Sequence, residues 1–279
     1  MPKLALSVII PASNHRSIED CLKSINEDVE IVVVLNNNPT QEIKDIVRRD
    51  RRCKTVYIQG SGCNLALVTN LGINAASYDK ILIVGADCLF SPQVISAVFQ
   101  ALNRTDVVRT KVVFMYHGVL QYLVAECRRL FYQIFDGGTK LFTPGLAFNK
   151  SIRTRIGGYF FDEAIGWGED GELSRRIKSS KVSFSILDQE IYHRETDPIH
   201  DLKVALKIGR GTRIEERRKG LSVPRSFKSD LLNLVLDRKG EIRLAFNNSG
   251  LATVIYFFLW KTVYHVGYYL ESIKKKGVW

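Results

Sequence analysis

Residues Lys80–Pro92 read KILIVGADCLFSP. The first five contain four consecutive apolar side chains, three of them β-branched. A run this short, without polar alternation, suits a strand buried on both faces. Gly85 ends the run, and Asp87 follows directly at its carboxyl end. In open parallel α/β sheets ligands gather at the carboxyl ends of strands. The carboxylate therefore stands where such a sheet would do its chemistry.

The flanks repeat the pattern. Upstream, Leu6–Pro11 (LSVIIP), Glu30–Leu35 (EIVVVL) and Thr55–Gln59 read as strands. Ile18–Asn26, with Ser17 as its N-cap, Gln41–Arg49 and Asn64–Ala76 read as the helices between them. Downstream, Pro92–Leu102 is helical and Val107–Met115 is strand-like. Strands alternating with helices predict βαβ units, an α/β class and a mostly parallel sheet. The loops at the carboxyl ends are then Pro11–Arg16, Asn36–Thr40 and Gly85–Phe90.

The second half differs in texture. Tyr116–Phe135 is aromatic-rich and helical by pattern, Asp136–Pro144 is a loop, and Gly145–Phe148 is a strand followed by a helix to Ile156. Val182–Ile186 and Glu190–His193 read as two strands. The 279 residues divide on this reading into a main domain over 1–200 and a basic, aromatic-rich helical extension over 201–279. The net charge of +11 calls for anionic partners. The bases concentrate between Lys203 and Lys228, ahead of the apolar run Gly250–Leu270, which Lys261 and His265 interrupt. Aromatic and basic residues together suit the interface of an anionic membrane, with Lys274–Lys276 adding attraction. A helix packed on its own domain is the plain alternative. No RNA-recognition or helix-turn-helix signature is present, and no nucleic-acid partner is expected, although the charge alone would permit one. Five cysteines without a CxxC pair fit free thiols in a reducing compartment. With no apparent signal peptide, the expected location is cytoplasmic, peripheral to the cytoplasmic face of a membrane.

A second stretch carries chemistry. Gly157–Asp170 (GGYFFDEAIGWGED) offers glycines for close backbone approach, aromatic faces for a sugar ring, and paired carboxylates at Glu169 and Asp170. Asp170 reads either as a general base or as the N-cap of a short basic helix, and the two are compatible. Glu172 would favour the positive end of that helix, and Arg175, Arg176 and Lys178 the negative end. Asp87 reads either as a turn residue or as a ligand for a divalent cation that neutralises a diphosphate.

Four segments in order resemble the family 2 glycosyltransferases of the GT-A fold, a Rossmann-like mixed sheet flanked by helices. They are LSVIIPASN, NLGINAA, ILIVGADCLFSP and GGYFFDEAIGWGEDGELSRRI, and they span about residues 5 to 195. The resemblance implies transfer of one sugar, with inversion, from a nucleotide-diphosphate donor to a hydroxyl on a glycan, a lipid-linked or another acceptor. It implies that Pro11, Ala12, Asn14 and Asn36 line the donor pocket together with Asp87. It also implies that Asp87 and His193 hold Mn²⁺ or Mg²⁺, weakly. Asp170 matches the base, Glu169 its neighbour, and Trp167, Gly168 and Glu169 the acceptor segment. The chain departs from the family at Gly85, where an aspartate is usual, and at Cys88, Leu35, Thr69 and Ser13. Gly85 leaves open a relative that binds nucleotide sugar or glycan without transferring it. GRGTR (Gly209–Arg213) lacks the tryptophan of the processive synthases it faintly resembles, so a single-sugar transferase is expected.

Overall fold

The computed structural model describes residues 3–60, 64–221 and 239–274. Cys63, Lys275, Lys276 and the end of the basic stretch at Lys228 lie outside them. The described residues form an eight-stranded mixed sheet flanked by helices, with strand order β3-β2-β1-β4-β7-β6-β8-β5. The strands are β1 (Leu6–Ala12), β2 (Glu30–Leu35), β3 (Cys53–Tyr57), β4 (Lys80–Ile83), β5 (Cys88–Phe90), β6 (Val107–Phe114), β7 (Leu146–Asn149) and β8 (Phe184–His193). The helices of this part are α1 (Ile18–Ser24), α2 (Gln41–Arg49), α3 (Leu65–Ala75), α4 (Val94–Ala101) and α6 (Glu169–Ser179). Between α4 and α6 in the chain comes α5 (Val119–Arg129), which continues as a π-helical turn over Leu130–Ile134.

The first four strands pair in parallel, as the alternation predicts. β7 then enters antiparallel between β4 and β6, and β5 lies antiparallel on the end of β8. Val182–Ile186 and Glu190–His193, read separately, fall on the single strand β8. It runs parallel to β6 with an irregularity between Arg109 and Lys111. Apolar residues on the two faces of β1 and β2 feed two cores, with Val8, Ile10, Ile31 and Val33 in one and Ile9, Val32 and Val34 in the other. That two-sided burial is the physical reason EIVVVL carries no alternation. Ser17 does not cap α1. It has helical backbone angles and its hydroxyl makes no cap bond.

The chain forms two compact units. The first comprises Met1–Phe114, Thr139–Glu163 and Asp170–Arg194, the second Met115–Gly138, Ala164–Glu169 and Glu195–Trp279. In the second unit, α7 (Pro198–Arg218) is started by Asp197, whose carboxylate accepts the His200 N–H at 2.9 Å. α8 (Lys239–Ser272) includes the apolar run and is kinked at Gly250. By length and composition alone, Ile242–Ser272 is long and apolar enough to cross a membrane. The core of this unit joins Val124, Leu130 and Phe135 to Ala205, Phe257 and Trp260.

Candidate active site

Register brings Asp87 and His193 together. β5 is only three residues long, and its pairing sets Cys88 opposite His193. The Arg194 N–H donates to the Asp87 carbonyl at 3.0 Å, which fixes the turn. His193 Nε2 lies 3.6 Å from Asp87 Oδ2. Its Nδ1 is 2.7 Å from the Arg194 carbonyl, which can only accept, so Nδ1 carries a proton and Nε2 is the ring atom turned to Asp87. The Asp87 side chain is 47% exposed and reachable by ligand. Cys88 beside it is fully buried, and burial pushes its thiol well above the ordinary value, so it adds no thiolate. Among the described residues no group of three or more His, Cys, Asp or Glu side chains could hold a metal ion. One carboxylate and one imidazole fit Mn²⁺ or Mg²⁺ as a partial shell that diphosphate oxygens would complete.

Gly85 has a local cause. A β-carbon there would lie 2.4 Å from Asp87 Oδ1. The carboxylate of Asp87 occupies the space into which a side chain at 85 would project.

The loops after β1 and β2 are tied to each other. Pro11 and Ala12 end β1, and Asn36 pairs with Ala12 twice, its backbone N–H (3.0 Å) and its Nδ2 (2.9 Å) both donating to the Ala12 carbonyl. Asn14 accepts the Thr40 N–H at 2.7 Å and donates to the carbonyls of Asn37 and Asn38. Both amides shape these loops through the backbone. Asn36 is buried, so its side chain is engaged inside the fold.

NLGINAA does two jobs. Gly72 lets α3 approach β1 and β2, since a β-carbon there would meet Ile9 Cγ2 at 2.4 Å. Asn70 reaches the aromatic loop. It donates to the Phe161 carbonyl and Glu163 Oε1, both at 2.9 Å, and accepts the Phe161 N–H at 3.1 Å.

The same loop is clamped from α6. Arg176 makes two bonds to Glu172, at 2.7 and 2.8 Å, and donates to the carbonyls of Ile156, Tyr159 and Phe160. Its guanidinium lies 4.0 Å from the Tyr159 ring centroid. Charge at the helix ends, the expected role of Glu172 and Arg176, is secondary to this buried clamp.

α6 begins at Glu169, so Asp170 lies within the first turn and is not the cap. Its Oδ1 accepts the Gly171 N–H at 2.7 Å. Burial pushes its carboxyl above the usual carboxylate range, against the pull of Lys140, of the Gly171 and Thr143 backbone, and of Arg175. Lys140 was not legible as a site residue, because a lone lysine in a loop has no periodicity to mark it. Trp167, Gly168 and Glu169 belong to the second unit. There Lys207 Nζ sits 4.8 Å from the Trp167 ring, Gly168 has φ +84°, and Glu169 is buried.

Solved structures of S. aureus TarS share the fold. The chain aligns with one at 15% identity and a TM-score of 0.54, covering 98% of itself and 56% of that longer chain. It aligns with TarS 1–349 in complex with UDP at 16% identity and TM-score 0.54, covering 95% of itself and 90% of that chain. With the UDP-GlcNAc complex the values are 14%, 0.54, 96% and 90%. No curated protein sequence matches. Residues 7–157, more than half of the chain, match the model of Glycosyl transferase family 2, and the chain belongs to that family.

Proposed function

We propose that this glycosyltransferase moves a single sugar from a nucleotide-diphosphate donor to an acceptor hydroxyl with inversion. The convergence of Asp87 and His193 at the carboxyl end of β4 carries the reading. Asp87 and His193 would hold Mn²⁺ or Mg²⁺, whose charge would mask the departing diphosphate. Pro11 and Ala12 would face the nucleotide, with Asn14 and Asn36 acting as positioning residues that hold their loops. TarS has been solved with UDP and with UDP-GlcNAc, which makes a uridine nucleotide the first donor to test. Asp170 would be the base. Its raised affinity for a proton supports this role, because a carboxylate that binds protons more tightly removes one from a hydroxyl more readily. The acceptor oxygen bonds to the anomeric carbon as the bond to the diphosphate oxygen breaks on the opposite face. The hydroxyl proton passes to Asp170. Trp167, Gly168 and Glu169 would present the acceptor.

Thermal shift with a panel of nucleoside diphosphates, with and without Mn²⁺, tests the donor half. Ligand at 100-fold its Kd adds about 2.7 kcal/mol. Asp87→Ala should abolish the Mn²⁺-dependent part of the shift. Full transferase activity in excess chelator would refute the metal assignment.

A further inference from the structure

Beyond its kink, α8 is bare on one side. Gly250 has φ +78° and ψ 176°, and after it the exposed apolar residues are Leu251, Ile255, Leu259, Val266, Leu270 and Ile273. At 3.6 residues per turn these six fall within an arc of about 100°, along roughly 33 Å of helix. Thr262, also exposed, is the polar member of this face. The opposite side is packed within the same unit. Val254, Phe257 and Trp260 join its core. A β-carbon at Gly209 of α7 would collide with the Tyr264 carbonyl, and one at Gly267 with the Leu206 carbonyl, so the two helices touch backbone to backbone.

This pairing decides the orientation. α8 holds α7 through Tyr268, which donates to Glu216, and Glu271, which pairs with Arg217. A spanning α8 would drag these polar and charged side chains into hydrocarbon, where burial of such groups is disfavoured. Lying in the membrane plane buries only the bare face.

Charge identifies the occupant. The acidic side chains described on α7 and α8 are Asp201, Glu215, Glu216 and Glu271. All are buried, and each pairs with a base: Arg128, Lys219, Arg213 and Arg217 respectively. The exposed basic groups on these helices and their ends are Lys203, Lys207, Arg218, Lys219, Arg243 and Lys274, with His200 in the first turn of α7. Asp197 at the start of α7 is the one exposed acid among those described, and Lys219 and Lys274 also pair with Glu215 and Glu271. A second copy of this surface would bring like charges together, whereas an anionic bilayer neutralises them.

We infer that the second unit docks on an anionic lipid surface with α8 in the membrane plane, its Leu251–Ile273 face immersed at the headgroup boundary. The inference does not depend on which sugar is moved.

The test uses the full chain with preformed vesicles of phosphatidylcholine alone or mixed with phosphatidylglycerol, read by co-sedimentation. The wild type should pellet with the mixed vesicles, far less with the neutral ones, and less as salt rises. Ile255→Glu combined with Leu259→Glu should weaken binding at least ~10-fold, because two immersed side chains are lost. Circular dichroism and light scattering should be unchanged. Leu251→Gln with Leu270→Gln repeats the test should the first variant misfold. Wild type that stays in the supernatant with mixed vesicles overturns the inference, as does a folded variant that pellets normally. A wild-type dimer dissolved by these substitutions, without vesicle binding, would give the face to a second copy. Binding that dilution cannot reverse would indicate insertion and overturn the in-plane orientation.

Discussion

Asp87 Oδ1 stands 2.4 Å from the point where Gly85 would carry a β-carbon. The glycine is thus more than a missing acid in a metal motif. It is the space in which the remaining carboxylate rests while its other oxygen faces His193.

Gly85→Ala should therefore turn the Asp87 carboxylate aside without unfolding the protein. We expect stability within about 1 kcal/mol of wild type, since the clash is with the end of a side chain. Mn²⁺-dependent nucleotide affinity should fall about tenfold, as for a ligand held in poorer geometry. Titration with nucleotide, with and without Mn²⁺, checks it. Undiminished Mn²⁺-dependent affinity would mean the observed rotamer is not the working one.

Asp170→Asn separates base from scaffold. The folded carboxyl binds its proton more tightly than in the unfolded chain, so folding is weakened as pH rises from the unfolded pKa through the folded one. Asparagine removes that penalty, and stability at neutral pH should be unchanged or higher. Turnover should drop at least ~10²-fold while nucleotide binding persists. In the wild type the acid limb of kcat against pH should lie above the ordinary carboxylate range of about 4. A mutant that transfers sugar normally would return Asp170 to a purely structural role.

Arg176→Lys tests the clamp on the aromatic loop. A lysine cannot reproduce the two bonds to Glu172 together with those to three carbonyls. The loss should be about 3 kcal/mol, because buried Glu172 is left poorly paired. Urea denaturation measures it, and a loss under about 1 kcal/mol would show the clamp to be incidental.

Acid should weaken the first unit through Asp106. Arg155 foremost, with help from Ser183, lowers its carboxyl from 3.8 to about 2. A depressed carboxylate stabilises fully above its unfolded pKa and loses that contribution as pH falls through the folded one. Wild type should therefore lose stability between pH about 4 and 2 more steeply than Asp106→Asn. Parallel profiles would remove Asp106 from the account.

Cys88–Phe90, expected within a loop, forms the short antiparallel strand β5, whereas the first four strands, the helices between them and their parallel pairing were legible in the residues. These follow from local periodicity, and buried runs such as EIVVVL leave few alternatives. The resemblance to family 2 glycosyltransferases nominated Asp87, His193 and Asp170 individually as site residues. Which of them meet is set by long-range pairing. Asp87 and His193 are far apart in the chain, and a three-residue strand, too short to show a pattern, sets Cys88 opposite His193 and so brings Asp87 beside it. The insertion of β7 antiparallel, the grip of Arg176 on three carbonyls and the capture of Phe161 by Asn70 are likewise long-range pairings. α8 divides the same way. Its apolar character is written in the residues, but which side is covered depends on Gly209 and Gly267 allowing two backbones to touch. Hydrophobic pattern sets how much surface must be buried, and long-range packing sets against what.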